Sequence, residues 1–184
     1  MAEIILVVGG SRSGKSDYAQ RRGEAINGRR CFIATCTPLD QEMEERVTRH
    51  RDGRDPQRWI TVEEPLRLAA IVELHPGYDV YLIDCLTLWI SNLLHHRPQA
   101  TSGELEALVM EVTDELLARL SVASGSAVLV SGEVGLGIVP ENRLARLYRD
   151  LVGRCNQRVA ARADEVVLVS CGLPLYLKPN KREP

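Results

Sequence analysis

The strongest chemical signal in the chain is the run Gly9-Gly10-Ser11-Arg12-Ser13-Gly14-Lys15-Ser16, which fits GxxxxGKS. Glycines permit a tight loop whose backbone N–H groups turn inward, and a helix beginning at the end of that loop adds positive potential. Such a cradle takes phosphate groups. Lys15 then approaches the β and γ phosphates as a compact cation, and Ser16 places its hydroxyl near Mg²⁺. The competing reading is a glycine-rich connection with an incidental lysine. It is the weaker one, because the apolar run Ile4 to Val8 precedes the motif and a helix-forming composition follows it.

Asp84, at the end of Val80-Tyr81-Leu82-Ile83, supplies a carboxylate where a buried strand should stop. There it orders Mg²⁺ directly or through water, or it caps a turn; its placement favours the metal-facing role. Ser16 and Asp84 are therefore the candidate metal ligands. His50, within Arg46-Val47-Thr48-Arg49-His50-Arg51-Asp52-Gly53-Arg54, is a nucleophile candidate, but a histidine in a charged helix is commonly just exposed. Arg51 and Arg54 could stabilise phosphate charge, while Arg46 and Arg49 could form the solvated side of the same helix. Asp52 either supports His50 or ends the helix. Glu63 either faces a ligand or belongs to a capping box over Thr61 to Glu64, with Pro65 early in the next helix. His95-His96 lacks Cys or carboxylate neighbours at useful spacing, so a solvated turn outweighs a metal site. These features fit kinases, nucleotidyltransferases, GTPases and other NTPases, or a nucleotide-dependent regulatory binding protein, without choosing among them.

Positioning such groups needs alternating strands and helices. Ile4 to Val8, Cys31 to Thr35, Trp59 to Val62, Val80 to Asp84, Ala127 to Val130 and Val166 to Val169 are the expected strands, with Leu175 to Leu177 a short edge strand. Helices are expected from Ser16 to Ile26, from about Asp40 to Asp52-Gly53, from Thr87 to Leu94, and from about Glu104 to Leu120. The last of these has Leu105, Leu108, Val112, Leu116 and Leu120 on its apolar face. A further helix is expected from Asn142 to Ala161. His95 to Gly103 breaks the pattern as a loop, and the glycine-rich Gly132 to Pro140 segment reads as a site loop in which Glu133 could position substrate. The pattern predicts right-handed β-α-β crossovers in one α/β P-loop NTPase-like domain, a mostly parallel central sheet flanked by helices.

The chain has 184 residues, 45% of them hydrophobic, and a formal net charge of −2. That suits one well-packed domain and gives no broad attraction to nucleic acid. The five scattered cysteines fit no zinc spacing and read as reduced thiols. Neither a signal pattern nor an apolar stretch of membrane-spanning length is apparent, so no stable membrane insertion and a cytoplasmic location are expected.

The P-loop, Ile33-Ala34-Thr35, the His50 run, Trp59, Glu63 and Glu133-Val134-Gly135-Leu136-Gly137-Ile138-Val139-Pro140-Glu141-Asn142-Arg143-Leu144-Ala145-Arg146 together resemble the bifunctional adenosylcobinamide kinase and adenosylcobinamide-phosphate guanylyltransferase family. The resemblance runs from the first strand to about Val169. It implies phosphorylation of adenosylcobinamide with ATP or GTP, then transfer of GMP from GTP to adenosylcobinamide phosphate, with Mg²⁺ and in a homotrimer. It makes Lys15 and His50 catalytic, His50 carrying GMP transiently. By the same resemblance the nucleotide contacts fall on Gly9, Gly10, Ser11, Arg12, Ser13, Gly14, Lys15, Ser16, Ala34, Thr35, Cys36, Arg51, Asp52, Gly53, Arg54, Glu63 and Asp84. Some relatives carry glutamate where this chain has Asp84, which preserves a carboxylate.

Overall fold

The computed structural model of the chain describes residues 3–37, 55 and 57–179. The elements are β1 (Ile4–Gly9), α1 (Lys15–Glu24), β2 (Arg30–Ala34), β3 (Trp59–Glu63), α2 (Leu68–Leu74), β4 (Val80–Asp84) and α3 (Leu86–His96). After these come α4 (Ser102–Val122), β5 (Ser126–Gly132), α5 (Arg143–Arg162), β6 (Glu165–Ser170) and β7 (Leu173–Lys178). The seven strands form one sheet in the order β3-β2-β4-β5-β1-β6-β7. Every neighbouring pair is parallel except β6 and β7, which close an antiparallel edge.

β1 is buried at every position, as an unbroken apolar run must be when helices cover both faces of the strand. Side-chain alternation divides the core in two. Ile4, Leu6 and Val8 face a layer containing Leu68, Trp89, Leu116 and Leu151 from α2 to α5. Ile5 and Val7 face the other side, with Ala19 of α1. The β1-to-β2 connection runs in the opposite direction along the sheet from the β4-to-β5 and β5-to-β6 connections. It uses the opposite face, as crossovers of one hand require.

α4 buries Leu105, Val109, Leu116, Leu117 and Leu120, each burial worth about 1.5–3 kcal/mol before ordering costs. Leu108 and Val112, expected on that face, are only half buried; Val109 and Leu117 lie deeper, because the buried stripe follows the 3.6-residue period. The helix starts earlier than expected through a capping box at Thr101. Its side chain accepts from Glu104 N, and the Glu104 carboxylate accepts from Thr101 N at 2.7 Å. Those hydrogen bonds hold the Glu104 carboxyl below the usual carboxylate range.

The capping box expected over Thr61 to Glu64 does not form. Thr61 and Glu63 lie in β3, in register with Phe32 and Ala34, and the β-branched run around them is better satisfied by sheet pairing. Glu64 instead accepts from Leu66 N and Arg67 N, each at 2.9 Å, and the helix starts at Leu68. His95 and His96 end α3 rather than opening a loop: His95 Nδ1 lies 2.7 Å from Ser91 O, one turn back. α1 is shifted towards the P-loop, starting at Lys15 and ending at Glu24. β7 is longer than the expected Leu175–Leu177 segment. The helix expected from Asp40 to Asp52, and with it His50, Arg51, Asp52, Gly53 and Arg54, lies outside the described residues. No helix among the described residues is long and apolar enough to cross a membrane.

Candidate active site

The sheet brings the carboxyl ends of β1 to β5 to one edge. Glu63, Ala34, Asp84 and Val130 form a continuous row across β3, β2, β4 and β5, and Gly9 pairs with Gly132 beside it. Ligands of open parallel sheets collect outside this edge. Three residues assigned to nucleotide contact from sequence, Ala34, Glu63 and Asp84, are thus neighbours despite separations of up to 50 residues.

The P-loop starts where β1 ends. Ser13 N donates to Gly10 O and Tyr18 N to Gly14 O. Gly14 is the N-cap of α1 at φ 88, and Arg12 also has positive φ, the left-handed conformation that backbone anion nests use. Gly9 must lack a side chain, because a Cβ there would sit 2.5 Å from both Ser13 Oγ and Val169 O. Among the described residues Ser13 Oγ is buried without a hydrogen-bond partner. A phosphate oxygen would suit a hydroxyl left so. Lys15 Nζ donates to Gly10 O at 3.1 Å, which folds the cation over the loop, and Ser11 and Arg12 are exposed at its tip.

Lys15 and the end of β4 share one electrostatic environment. The Cys85 thiol is pushed up to about 11, first by burial and then by Asp84, while Lys15 pulls it down. By strand alternation Asp84 lies on the sheet face of Val80 and Leu82, the face that α1 covers. Ser16 lies in the first turn of α1, the helix that covers this face. Among the described residues no group of three His, Cys, Asp or Glu side chains could hold a metal by itself.

Thr35 also has a structural job in the fold. It is fully buried, and its hydroxyl donates to Cys85 O at 2.8 Å and accepts from Cys85 N at 2.7 Å. Its N–H also reaches Asp84 O, and its carbonyl accepts from Asn92 Nδ2 at 2.8 Å. Thr35 clamps the backbone immediately after Asp84. Thr35→Val keeps the shape but leaves the buried Cys85 N–H without its partner, while Cys85 O keeps Trp89 N, so it should destabilise the fold by about 1–3 kcal/mol. A urea midpoint equal to that of the parent chain would contradict this. Cys36 is half buried, two residues beyond Ala34.

Sequence reasoning missed the support from the far end of the chain. Gly172 N, in the β6–β7 turn, donates to Ser13 O at 2.9 Å, and a Cβ on Gly14 would meet Gly172 Cα at 3.3 Å. Tyr176 of β7 also meets Tyr18 of α1, hydroxyl to hydroxyl, at 3.2 Å. A cysteine-glycine turn between two apolar runs was the available signal, but nothing local says what the turn touches.

Glu133 sits beside the P-loop, its N–H donating to Gly9 O at 2.9 Å and its carboxylate accepting from Gly135 N at 2.7 Å. Asn156 Nδ2 donates to Gly132 O at 3.2 Å. Arg146 reaches Pro140 O and Glu141 O, and Arg149 reaches Gly137 O. The glycine-rich segment is thus tied down by α5, while Leu136, Ile138 and Val139 stay exposed.

Comparison with known proteins agrees with this arrangement over nearly the whole chain. Residues 5–177 match the family model described as cobinamide kinase / cobinamide phosphate guanyltransferase. The bifunctional adenosylcobalamin biosynthesis protein CobU of Salmonella typhimurium is 43% identical over 190 residues, covering 95% of this chain and 99% of the relative. The bifunctional adenosylcobalamin biosynthesis protein CobP of Pseudomonas aeruginosa is 43% identical over 176 residues, covering 94% and 96%. CobU of Escherichia coli is 40% identical over 186 residues, covering 95% and 99%. With the phosphate cradle, the carboxylate row and a match of this extent, the chain belongs to the cobinamide kinase / cobinamide phosphate guanyltransferase family.

Proposed function

We infer that this chain is a bifunctional enzyme of adenosylcobalamin biosynthesis. It phosphorylates adenosylcobinamide with ATP or GTP, then transfers GMP from GTP to the phosphate, forming adenosylcobinamide-GDP and pyrophosphate. The observation that carries this reading is the family match across residues 5–177, on a chain whose P-loop and Asp84 converge at one sheet edge. The fold is read as a single P-loop NTPase-like domain, acting as a homotrimer in the cytoplasm.

The P-loop amides and Lys15 would hold the β and γ phosphates, and Ser16 and Asp84 would hold Mg²⁺, which when bound would supply neutralising charge to the phosphate oxygens. In the kinase step the alcohol oxygen of adenosylcobinamide attacks the γ phosphorus, loses its proton, and the nucleoside diphosphate leaves. In the transfer step an unprotonated nitrogen of His50 attacks the α phosphorus of GTP and pyrophosphate leaves. The terminal phosphate of the second substrate then displaces His50. Ala34, Thr35, Cys36, Glu63, Arg51, Asp52, Gly53 and Arg54 are assigned to nucleotide contact, and Thr35 also clamps the backbone that follows Asp84.

The test is a substrate assay on the purified chain, with adenosylcobinamide or its phosphate supplied alongside ATP, GTP and Mg²⁺. Conversion of neither rejects the reading. In the same assay Asp84→Asn, which removes charge at nearly constant size, should raise the Mg²⁺ concentration for half-maximal rate by about tenfold, equivalent to about 1.4 kcal/mol. An unchanged metal titration would assign Asp84 to a turn instead.

A further inference from the structure

We propose that the cavity enclosed by the second half of α3 and the first turns of α4 and α5 seats the corrin macrocycle of the acceptor substrate; this rests on the function inferred above. The cavity measures about 920 Å³, near the upper end for small-molecule sites. Its walls include Leu94, Leu105, Leu144 and Leu147, and none of the described residues that line it is acidic. Arg97 and Arg143 also line it. Neither forms an ion pair with a described carboxylate; Arg143 has only a 3.4 Å hydrogen bond to Ser102 Oγ.

An apolar floor beneath unopposed guanidinium donors suits a broad ligand with an apolar face and an oxygen-rich edge. A corrinoid has that form: a wide macrocycle ringed by carboxamides whose carbonyl oxygens accept hydrogen bonds. A nucleotide has no comparable apolar area and already has its cradle at the P-loop.

Position supports the same occupant. Tyr148 lines the cavity and donates from its hydroxyl to Thr87 O at 3.2 Å. The Thr87 hydroxyl lies 2.9 Å from Cys85 Sγ, and Cys85 directly follows Asp84. The cavity wall is thus hydrogen-bonded to the first turn of the helix that leaves the metal-facing carboxylate. Leu94, Leu105 and Leu147 belong to the core on the α2-to-α5 face of the sheet, whereas the P-loop helix covers the opposite face. Nucleotide and acceptor would therefore approach the carboxyl edge from opposite faces and meet above β4 and β5, without competing for one volume.

The experiment uses the full chain with dicyanocobinamide as probe, its retention in equilibrium dialysis read by corrin absorbance. Leu144 is 53% exposed in the first turn of α5, so Leu144→Glu adds a charge at a position that tolerates polarity. Arg143→Gln is measured in parallel, and Leu144→Met serves as the conservative control. Leu144→Glu should weaken dicyanocobinamide binding at least tenfold, Arg143→Gln several-fold and Leu144→Met little. GTP affinity, GMP labelling by α-labelled GTP and the sedimentation coefficient should stay at parental values. Parental corrinoid affinity in both Leu144→Glu and Arg143→Gln, in a chain that still converts adenosylcobinamide, overturns the cavity assignment and leaves the inferred function standing. A change in sedimentation with Leu144→Glu overturns it in favour of a contact between copies. Failure of the parent chain to bind or convert any corrinoid removes both the assignment and the function on which it rests.

Discussion

In the His50→Ala variant, guanylyl transfer to adenosylcobinamide phosphate collapses while phosphorylation of adenosylcobinamide continues. Alanine offers no nitrogen to attack the α phosphorus, so no GMP can be stored on the chain. Loss of a covalent nucleophile typically lowers turnover by about 10⁴-fold or more. The kinase step moves the γ-phosphoryl group directly to an alcohol and uses no imidazole intermediate, so it should keep much of its rate. Incubation with α-labelled GTP and Mg²⁺, then denaturing separation and peptide mass spectrometry, reads the intermediate directly. The parent chain should carry acid-labile GMP on His50 and the variant none. Label on another residue, or undiminished acid-labile attachment in His50→Ala, would sink the assignment.

The residues assigned to the two activities come from different kinds of sequence signal. Gly9 to Ser16 is a backbone-defined motif, so its spacing alone suggested a phosphate site, and the structure places it where β1 passes into α1. Asp84 was legible for a similar reason, since an apolar run ending in a carboxylate marks the exit of a buried strand. His50 had no such backbone signature. Its case came from resemblance across the chain, and it lies outside the described residues.

What stayed illegible depends on distant partners. Thr35 reads as any polar residue at a strand end until β4 is placed beside β2, when its hydroxyl meets the Cys85 backbone 50 residues away. The β6–β7 turn could not be linked to the P-loop before β6 was known to pair with β1. The two Thr-x-x-Glu patterns show the limit of a local rule. At Thr101 the following residues carry a long helical apolar stripe and the capping box forms. At Thr61 the β-branched neighbours pair with β2, and the same spacing sits in a strand.

The Lys15→Ala variant should lose both activities, unlike His50→Ala, and the reason lies in where charge develops. In the kinase step the bond that breaks joins the γ phosphorus to an oxygen of the β phosphate. In the guanylyl step the breaking bond joins the α phosphorus to another oxygen of that same phosphate, and pyrophosphate departs. A cation held over the β and γ positions stabilises the leaving group in either direction. Lys15, whose Nζ folds over the loop onto Gly10 O, is the side chain assigned to that place. Removing one preorganised donor to a developing oxyanion typically costs about 10²–10³-fold in rate, and a loss of that size is expected in both assays. Stability should change little. Lys15 is half buried at the first position of α1, alanine favours the helix, and no core contact is lost. Initial rates of both reactions at saturating and limiting Mg-nucleotide, taken with a thermal melt, test the claim. A tenfold or smaller effect on both rates in a folded variant would remove Lys15 from the chemistry. Loss of the kinase alone would mean that the guanylyl donor does not use this cradle.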